Sequence, residues 1–322
     1  MRRVLLAGAL ALLGLAPQPG RAADRSLPVV YEAGHVYAVP TLANGRRMRM
    51  LIDTGGGTFP SAWISNIEAG RLGLKGDGRC ASTFGPVVVA RAAFQPGKGW
   101  PLPGAGCDGI VLYPGEAGDG QVTPMVLKPG IWTFDYGARS VTLRARDAVP
   151  EAGATVAALG FKRLGPGRTG AWPRIRITVD GQVLDMLLDT GATSHPTAEA
   201  LTASGASVRD GVGVASYITA STMAAWHARH PEWRYIAQGD DLFPKRVASV
   251  IEVPEIGIAG QKVGPVWFTQ RPDAAFHGMM AQLMDLSPEG AVGGNVFENF
   301  RMTIDYPHAR AWFFCETARC RP

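Results

Sequence analysis

The sequence has few charged residues and no cluster of basic ones. Asp, Glu, Lys and Arg make up 18% of the 322 residues, against about 25% in a typical soluble domain. The net charge of +5 includes Arg2, Arg3 and Arg21, and without these three the chain has 29 basic and 27 acidic residues, a net charge of +2. No run of Lys and Arg is interleaved with aromatic residues, as a surface that follows a phosphate backbone requires. We therefore expect no nucleic-acid partner.

The sequence also lacks a hydrophobic run long enough to cross a membrane. The apolar stretch at residues 4–16 has 13 residues, whereas a spanning helix needs about 20. With Arg2 and Arg3 before it and small residues at 20 and 22 after it, residues 1–22 have the pattern of a signal peptide cleaved after Ala22. The short length argues against the alternative, an uncleaved anchor. We expect an exported protein, periplasmic or secreted, with no membrane contact after cleavage.

Cysteine is scarce, and no Cys-x-x-Cys pair is present. The four cysteines are Cys80, Cys107, Cys315 and Cys320, and an even number in an exported protein indicates disulfides. Three pairings are possible, of which proximity in sequence favours Cys80–Cys107 and Cys315–Cys320. The alternative, a metal site, has little support, because the close pair His227 and His230 has no obvious third ligand. We predict no metal and no cofactor.

Glycine, proline and apolar residues are plentiful. Gly and Pro together account for 65 residues, about a fifth of the chain, and apolar residues for 46%. This composition is typical of a turn-rich globular protein with a large core rather than of a disordered chain. It favours a mostly β fold.

A repeat organises the chain. Asn44-Gly45 is followed by an apolar strand and the triplet Asp53, Thr54, Gly55, and Asp180-Gly181 is followed by a similar strand and the triplet Asp189, Thr190, Gly191. In both copies a turn signal leads into a strand, and the aspartate stands eight positions after the turn glycine. A second shared element closes each copy, at residues 131–136 and 301–306, with Asp135 and Asp305 expected at strand ends near turns. The sequence therefore predicts two similar β-rich lobes.

Pro150 and Gly153 interrupt the pattern between the two copies. We place the domains at 23–152 and 153–322, after the signal peptide at 1–22. The second copy is longer, and its extra residues favour helices at 222–230 and 274–286. In the latter, Phe276, Met279, Met280, Leu283 and Met284 share a face that we expect in the core. We also expect His195-Pro196 to open a short helix, and Trp226 and Trp233 to anchor the added segment.

Two apolar strands that each end in Asp-Thr-Gly resemble the aspartic peptidase superfamily, in which each lobe supplies one catalytic aspartate to a shared cleft. Residues 186–193, Met-Leu-Leu-Asp-Thr-Gly-Ala-Thr, are especially similar to the retropepsin-like version. Residues 290–297, Gly-Ala-Val-Gly-Gly-Asn-Val-Phe, resemble the apolar-apolar-Gly element that crosses beneath the catalytic loop in this superfamily. The resemblance covers most of residues 29–314 and implies a mostly β protein of two acid-protease-type β-barrel lobes with a cleft between them and extra helices in the second.

The first lobe departs from this pattern. Gly56-Gly57-Thr58 follows Gly55 where Ala or Ser is usual, and the apolar-apolar-Gly element is expected at 108–113, with Leu112 where Gly should stand. A flap, the hairpin that covers substrate in this superfamily, is expected at 213–221, with Tyr217 as a substrate-binding candidate.

The residue chemistry agrees with the resemblance. Two carboxylates a few ångströms apart share one proton, so that the pair can activate a water and protonate a carbonyl oxygen. Each Gly lets the backbone turn and offers an amide to the carboxylate, and each Thr hydroxyl can anchor the opposite loop. Because neither Gly56 nor Ala192 offers a hydroxyl to an ionised carboxylate, we expect the activity optimum in mild rather than strong acid.

We therefore expect an aspartic endopeptidase that acts on peptide or protein substrates through Asp53 and Asp189. Both aspartates lie in one chain, so a monomer completes the pair. The alternative is a non-catalytic protein of the same fold that binds peptide or carbohydrate in the cleft, since fold does not determine function.

Overall fold

The computed structural model describes residues 23–322 except 58, 83–84, 92–98, 103–106, 108, 116–117 and 244–245. The predicted signal peptide at 1–22 lies outside the described residues, as do Thr58 and Asp108. The chain is mostly β, with 45% strand and 15% helix. This confirms the fold class at the level of secondary structure.

The described residues of the first half form eleven strands and two short helices. The strands are β1 Arg25–Leu27, β2 Val29–Glu32, β3 His35–Ala38, β4 Met50–Ile52, β5 Trp63–Ser65, β6 Gly78–Ser82, β7 Gly85–Ala90, β8 Ile110–Tyr113, β9 Gly120–Val122, β10 Ile131–Asp135 and β11 Ser140–Leu143. The helices are α1 Asn66–Arg71 and α2 Pro124–Leu127.

In the second half, the described residues form the remaining strands and three α-helices. The strands are β12 Thr155–Ala158, β13 Arg163–Gly165, β14 Arg168–Thr169, β15 Arg174–Val179, β16 Gln182–Leu188, β17 Thr193–Ser194, β18 Gly213–Val214, β19 Ser216–Thr219, β20 Tyr235–Phe243, β21 Arg246–Val253, β22 Ile256–Ile258, β23 Gln261–Val263, β24 Val266–Arg271, β25 Gly290–Val292, β26 Phe300–Asp305, β27 Arg310–Cys315 and β28 Cys320–Arg321. The helices are α3 Ala198–Ser204, α4 Ala220–Arg229 and α5 Gly294–Phe297, with a π-helical turn at Ala274–Met279 and a 3₁₀ turn at Met280–Gln282.

Three large sheets organise these strands. An eight-stranded sheet, ordered β2-β3-β4-β9-β5-β8-β7-β6, belongs to the first half, and a ten-stranded sheet, ordered β20-β21-β24-β19-β25-β16-β15-β22-β23-β28, to the second. A six-stranded sheet, ordered β1-β11-β10-β26-β27-β12, takes strands from both. None of these sheets closes into a barrel within the described residues. The β-barrel form expected for each lobe is therefore not found among these residues, in which the end strands of each sheet do not pair with each other.

The repeat predicted from the sequence appears as matched strand pairing. β4, which leads into Asp53, pairs in parallel with β9, and β16, which leads into Asp189, pairs in parallel with β25. The turn before β16 lies at Asp180 and Gly181, whose φ angles of 49° and 74° are those of a tight hairpin turn. The two closing strands β10 and β26 pair with each other, with Thr133 opposite Thr303. Asp135 and Asp305 end these strands, as expected.

The helices predicted for the added segments of the second half agree with the structure in part. α4 agrees with the helix expected at 222–230, and Trp226 at its centre is fully buried against Phe268. The 274–286 segment buries Phe276, Met280 and Met284, four residues apart, but leaves Met279 60% exposed. The α-helical face predicted there is wrong at Met279, because the wider π turn rotates that side chain into solvent.

Both cysteine pairs match the pairing favoured by proximity. Cys80 lies opposite Cys107 and Cys315 opposite Cys320, with Cα atoms 5.7 and 5.5 Å apart. These separations are ordinary for disulfides. Among the described residues, no helix is both long and apolar enough to cross a bilayer.

Candidate active site

Asp53 and Asp189 stand at equivalent points of the two sheets, directly after the buried strands β4 and β16. The amide of Asp53 donates to Val122 O at 3.1 Å, and the amide of Asp189 donates to Val292 O at 2.9 Å. Val122 and Val292 end β9 and β25, the strands that run parallel to β4 and β16. Each aspartate is thus held at the carboxyl end of a central parallel pair.

The threonines of the two triplets hold the loops against each other. Thr54 Oγ1 donates to Leu188 O at 2.7 Å, and Thr190 Oγ1 donates to Ile52 O at 2.7 Å. Each hydroxyl also accepts from the opposite amide, at 3.2 Å from Thr54 N and 3.0 Å from Thr190 N. Both threonines are fully buried. The reciprocal bonds match the anchoring role that the sequence predicts for Thr54 and Thr190.

The two carboxyl groups meet between the loops. Asp53 and Asp189 are 7% and 8% exposed, and each carboxyl lies close enough to the other to influence its pKa. Gly55 and Gly191 make this approach possible: a Cβ at Gly55 would lie 2.5 Å from an oxygen of Asp189, and one at Gly191 would lie 2.5 Å from an oxygen of Asp53. Any larger residue would therefore occupy the space of the opposite carboxylate.

Burial raises the pKa of both carboxyls, but to different extents. The pKa of Asp53 lies above its usual range because burial outweighs the amides of Gly56 and Gly55, which lower it. The pKa of Asp189 lies well above that range, because burial and the charge of Asp53 act together against the Gly191 and Ala192 amides. Two adjacent carboxyls of this kind hold one proton between them over a range of pH.

The hydrogen-bond donors around the two aspartates also differ. Oδ1 of Asp53 accepts from the amides of Gly55 at 2.8 Å and Gly56 at 2.6 Å, and its Oδ2 accepts from Gln121 Nε2. Oδ1 of Asp189 accepts from the Gly191 amide at 3.0 Å. Sequence reasoning missed Gln121, since it lies 68 residues from Asp53 and only the pairing of β4 with β9 brings the two together.

The strand beneath the Asp53 loop is not the one expected from the sequence. The segment at 108–113 forms β8 from Ile110 onward, and β8 pairs with β5 and β7 rather than with β4. The parallel neighbour of β4 is β9, which is followed by Thr123 at the position that corresponds to Gly293. The expectation for the first half is therefore wrong, while the segment at 290–293 lies beneath the Asp189 loop as the resemblance implies. The signal that could have identified β9 is its spacing, since Gly120-x-Val122 lies 11 positions before the closing strand at 131, as Gly290-x-Val292 lies 11 positions before 301.

Tyr217 lies in the middle of the ten-stranded sheet rather than in a covering hairpin. Its strand, β19, pairs with β24 on one side and β25 on the other. The Tyr217 hydroxyl donates to Thr193 O at 2.5 Å and accepts from Thr193 N at 2.6 Å, and Arg271 stacks 4.0 Å from the ring centre. The expected flap at 213–221 is therefore wrong, because hydrogen bonds on both sides hold the strand in the sheet. Tyr217 supports the Asp189 loop.

A buried histidine of the first half contacts the same loop. His35 is 2% exposed, and its Nε2 lies 3.1 Å from Thr193 Oγ1. Thr193 Oγ1 donates its proton to Gly191 O at 2.8 Å, so the neutral His35 ring donates to Thr193. Burial, with the nearby charge of Arg49, lowers the pKa of His35 to about 4. His35 therefore packs against the loop in its neutral form at neutral pH.

In the part of the chain that the structure describes, no group of three or more His, Cys, Asp or Glu side chains is arranged to hold a metal ion. The arrangement at the loops is instead a pair of neighbouring buried carboxyls with raised pKa, and such a pair can accept a proton at one oxygen while donating one from another. Neither the known protein families nor the curated proteins contain a sequence match to this chain.

Proposed function

We propose that this chain is an aspartic endopeptidase, in which Asp53 and Asp189 together activate the water that hydrolyses a peptide bond. The observation that carries the proposal is the contact between two buried carboxyls, each presented by an Asp-Thr-Gly loop and each facing the glycine of the other loop. The motif resemblance supports the same activity. The proposed reaction uses water and the two carboxyls, without a cofactor.

The reaction needs one ionised and one protonated carboxyl. The carboxylate takes a proton from water, whose oxygen attacks the scissile carbonyl carbon, while the carboxylic acid donates its proton to the carbonyl oxygen. In the resulting gem-diol the carbon–nitrogen bond breaks. The nitrogen receives the proton taken from water, and a diol hydroxyl returns a proton to the other carboxyl. One water is consumed, and the pair ends in its starting state.

We further propose that residues 23–152 and 153–322 form two lobes with the substrate cleft between them. The division of the eight-stranded and ten-stranded sheets between the two halves, and the joint six-stranded sheet, support this arrangement. Since both aspartates lie in one chain, a monomer is sufficient. We place the mature protein outside the cytosol, in a periplasm or the medium, in keeping with its two disulfides.

The test is cleavage of an unfolded protein by the chain from residue 23 onward, between about pH 3 and 7, where one of two carboxyls with raised pKa holds a proton. Asp53→Asn and Asp189→Asn should each lower the rate at least about a hundredfold, the usual contribution of general acid–base catalysis. Asp210→Asn is the matched control, because the Asp210 side chain is 91% exposed, and it should cleave like the wild type. Failure of the folded wild type to cleave at any pH would reject the proposal and leave peptide or carbohydrate binding in the cleft as the function to test.

A further inference from the structure

The two sheets place different residues at one equivalent position beside the carboxyl pair. In the first half, Leu51 of β4 pairs with Gln121 of β9, and in the second, Leu187 of β16 pairs with Ala291 of β25. Leu51 and Leu187 each stand two residues before a catalytic aspartate. An amide side chain therefore reaches Asp53, whereas the corresponding position beside Asp189 holds a methyl group.

The orientation of the Gln121 amide follows from its other partner. Trp63 Nε1 donates to Gln121 Oε1, and Gln121 Nε2 donates to Asp53 Oδ2. An indole nitrogen can only donate, so the amide oxygen must face Trp63 and the amide nitrogen must face Asp53. Gln121 is 9% exposed, which leaves it little opportunity to exchange these partners for water.

The glycines that depart from the usual motif make room for this amide. A Cβ at Gly56 would lie 2.8 Å from Gln121 Nε2, and a Cβ at Gly57 would lie 3.0 Å from Gln121 Oε1. Gly57 also has φ +75°, which a side chain would strain. The sequence Gly56-Gly57 and the glutamine 64 positions further along therefore form one arrangement, in which an amide replaces the hydroxyl that position 56 does not offer.

Because an N–H donor stabilises a carboxylate more than it stabilises the neutral acid, the donors at each aspartate decide where the shared proton resides. We propose that Gln121, oriented by Trp63, is a positioning residue that keeps Asp53 ionised and leaves the proton on Asp189. Resting on the proposed function, this assignment makes Asp53 the base that activates water and Asp189 the acid that protonates the carbonyl oxygen.

The other titratable groups that face the pair do not take over this role. Burial raises the pKa of Tyr306, which feels the charge of Asp53, and raises that of Tyr217, beside Asp189, to about 12, so both phenols stay neutral. Arg271 stacks on the Tyr217 ring and donates to Thr193 O at 3.3 Å, so it reaches the backbone of the Asp189 loop. His35, which reaches the Asp189 loop through Thr193, has a pKa of about 4 and can add a step in acid. The compared variants all retain His35, so its titration contributes equally to each of them and cancels in the differences between them.

The decisive variant is Gln121→Met, which retains an unbranched side chain of similar size and removes the amide. The first measurement is a ¹³C titration of the aspartate carboxyls in labelled protein, with the two signals assigned through Asp53→Asn and Asp189→Asn. In the wild type, we expect Asp53 to titrate below Asp189. In Gln121→Met, we expect the lower pKa of the pair to rise by about 1 to 2 units, the effect of one hydrogen bond to a charged group.

The second measurement is the pH dependence of kcat/KM. The acid limb should move to higher pH by the same 1 to 2 units in Gln121→Met, and Trp63→Phe should shift it in the same direction by less, because the amide stays but loses its orienting donor. Gln238→Met, at an exposed position of β20, is the matched control and should shift neither measurement. A change in folding alone would lower activity without moving the limb.

The outcomes separate this inference from the proposed function. If the wild type cleaves no substrate but Gln121→Met still raises the lower pKa, proton placement by Gln121 stands and the peptidase proposal fails. If cleavage occurs but both variants titrate as the wild type does, or if Asp189 titrates below Asp53, the inference is overturned. Should Gln121→Met not fold, Trp63→Phe decides by the same two readouts.

Discussion

The Asp53 loop and the Asp189 loop share a backbone frame but are supported from different directions. In both, the aspartate amide bonds a parallel neighbour strand, the threonine bonds the opposite loop, and the glycine faces the opposite carboxyl. Around Asp53, the support is Gln121 of the same sheet. Around Asp189, the support is Tyr217 and the buried His35, which act through Thr193.

The strands beneath the loops differ in the same way. A Cβ at Gly293, after β25, would overlap the carbonyl oxygen of Ala215, so only glycine fits there. Thr123 stands at the corresponding place after β9, and its hydroxyl lies 3.4 Å from both Phe59 O and Ser61 O. The parts that bring the two carboxyls together are thus the same in both halves, whereas the parts that set their proton affinities differ. The close approach of the two carboxyls tolerates little change in the residues around it, whereas the pKa of each carboxyl can be changed by any nearby hydrogen-bond donor.

The loop glycines, which both halves share, give the largest predicted effect. Gly55→Ala and Gly191→Ala should each lower kcat/KM at least about a hundredfold, since the added methyl group must displace the opposite carboxylate and small misplacements have effects of this size. Gly70→Ala, in helix α1, is the matched control because no atom lies within 4 Å of its added Cβ. Nearly normal activity in either loop variant would show that the carboxyls need not be in contact.

The reciprocal threonine bonds predict equal losses in stability from the two halves. Thr54→Val or Thr190→Val leaves one buried carbonyl and one buried amide without a partner, and each variant should lower the free energy of unfolding by about 3 kcal/mol. Denaturant unfolding at neutral pH measures this loss.

The Ser variants at 54 and 190 should retain most of the stability, because they keep the hydroxyl. Thr202→Val, at an exposed position of α3, should have little effect. Clearly unequal losses in the free energy of unfolding would mean that the threonine of one loop contributes more to the contact than that of the other, and that the two halves are not equivalent there.

The His35 support, found only at the Asp189 loop, predicts a smaller and pH-dependent effect. Because the pKa of His35 falls from 6.5 to about 4 on folding, the unfolded chain binds the proton first as the pH drops. Stability from this group is therefore complete above pH 6.5 and is lost as the pH falls toward 4. Between pH 7 and 5, the loss should be about 2 kcal/mol.

Denaturant unfolding of the wild type and of His35→Gln at both pH values isolates this effect. The carboxyls with raised pKa, Asp53 and Asp189, act in the opposite direction, since the folded state binds their proton first; they are present in both proteins and cancel in the difference. An equal pH dependence in the two proteins would show that His35 is not buried in its neutral form.

Much of the candidate site could be predicted from local sequence. The strand before each triplet, the turn at Asp180-Gly181 and the closing strands that end at Asp135 and Asp305 are short-range patterns, and the structure contains them. The two disulfides could also be predicted, because the cysteines of each pair lie only 27 and 5 residues apart in the sequence. The flap, by contrast, was wrong, since a strand at the centre of a sheet and a covering hairpin have the same local alternation of residues.

The sequence by itself determined which residues form the two loops, since an apolar strand followed by Asp-Thr-Gly specifies a sharp turn that carries the aspartate. Only the tertiary structure decided that the loops meet, that β9 rather than β8 lies beside β4, and that Gln121 and His35 reach the site. The physical reason is the range of the interactions. A turn is set by its own residues, whereas the neighbour of a strand is selected by burial and hydrogen bonding between segments far apart in the chain.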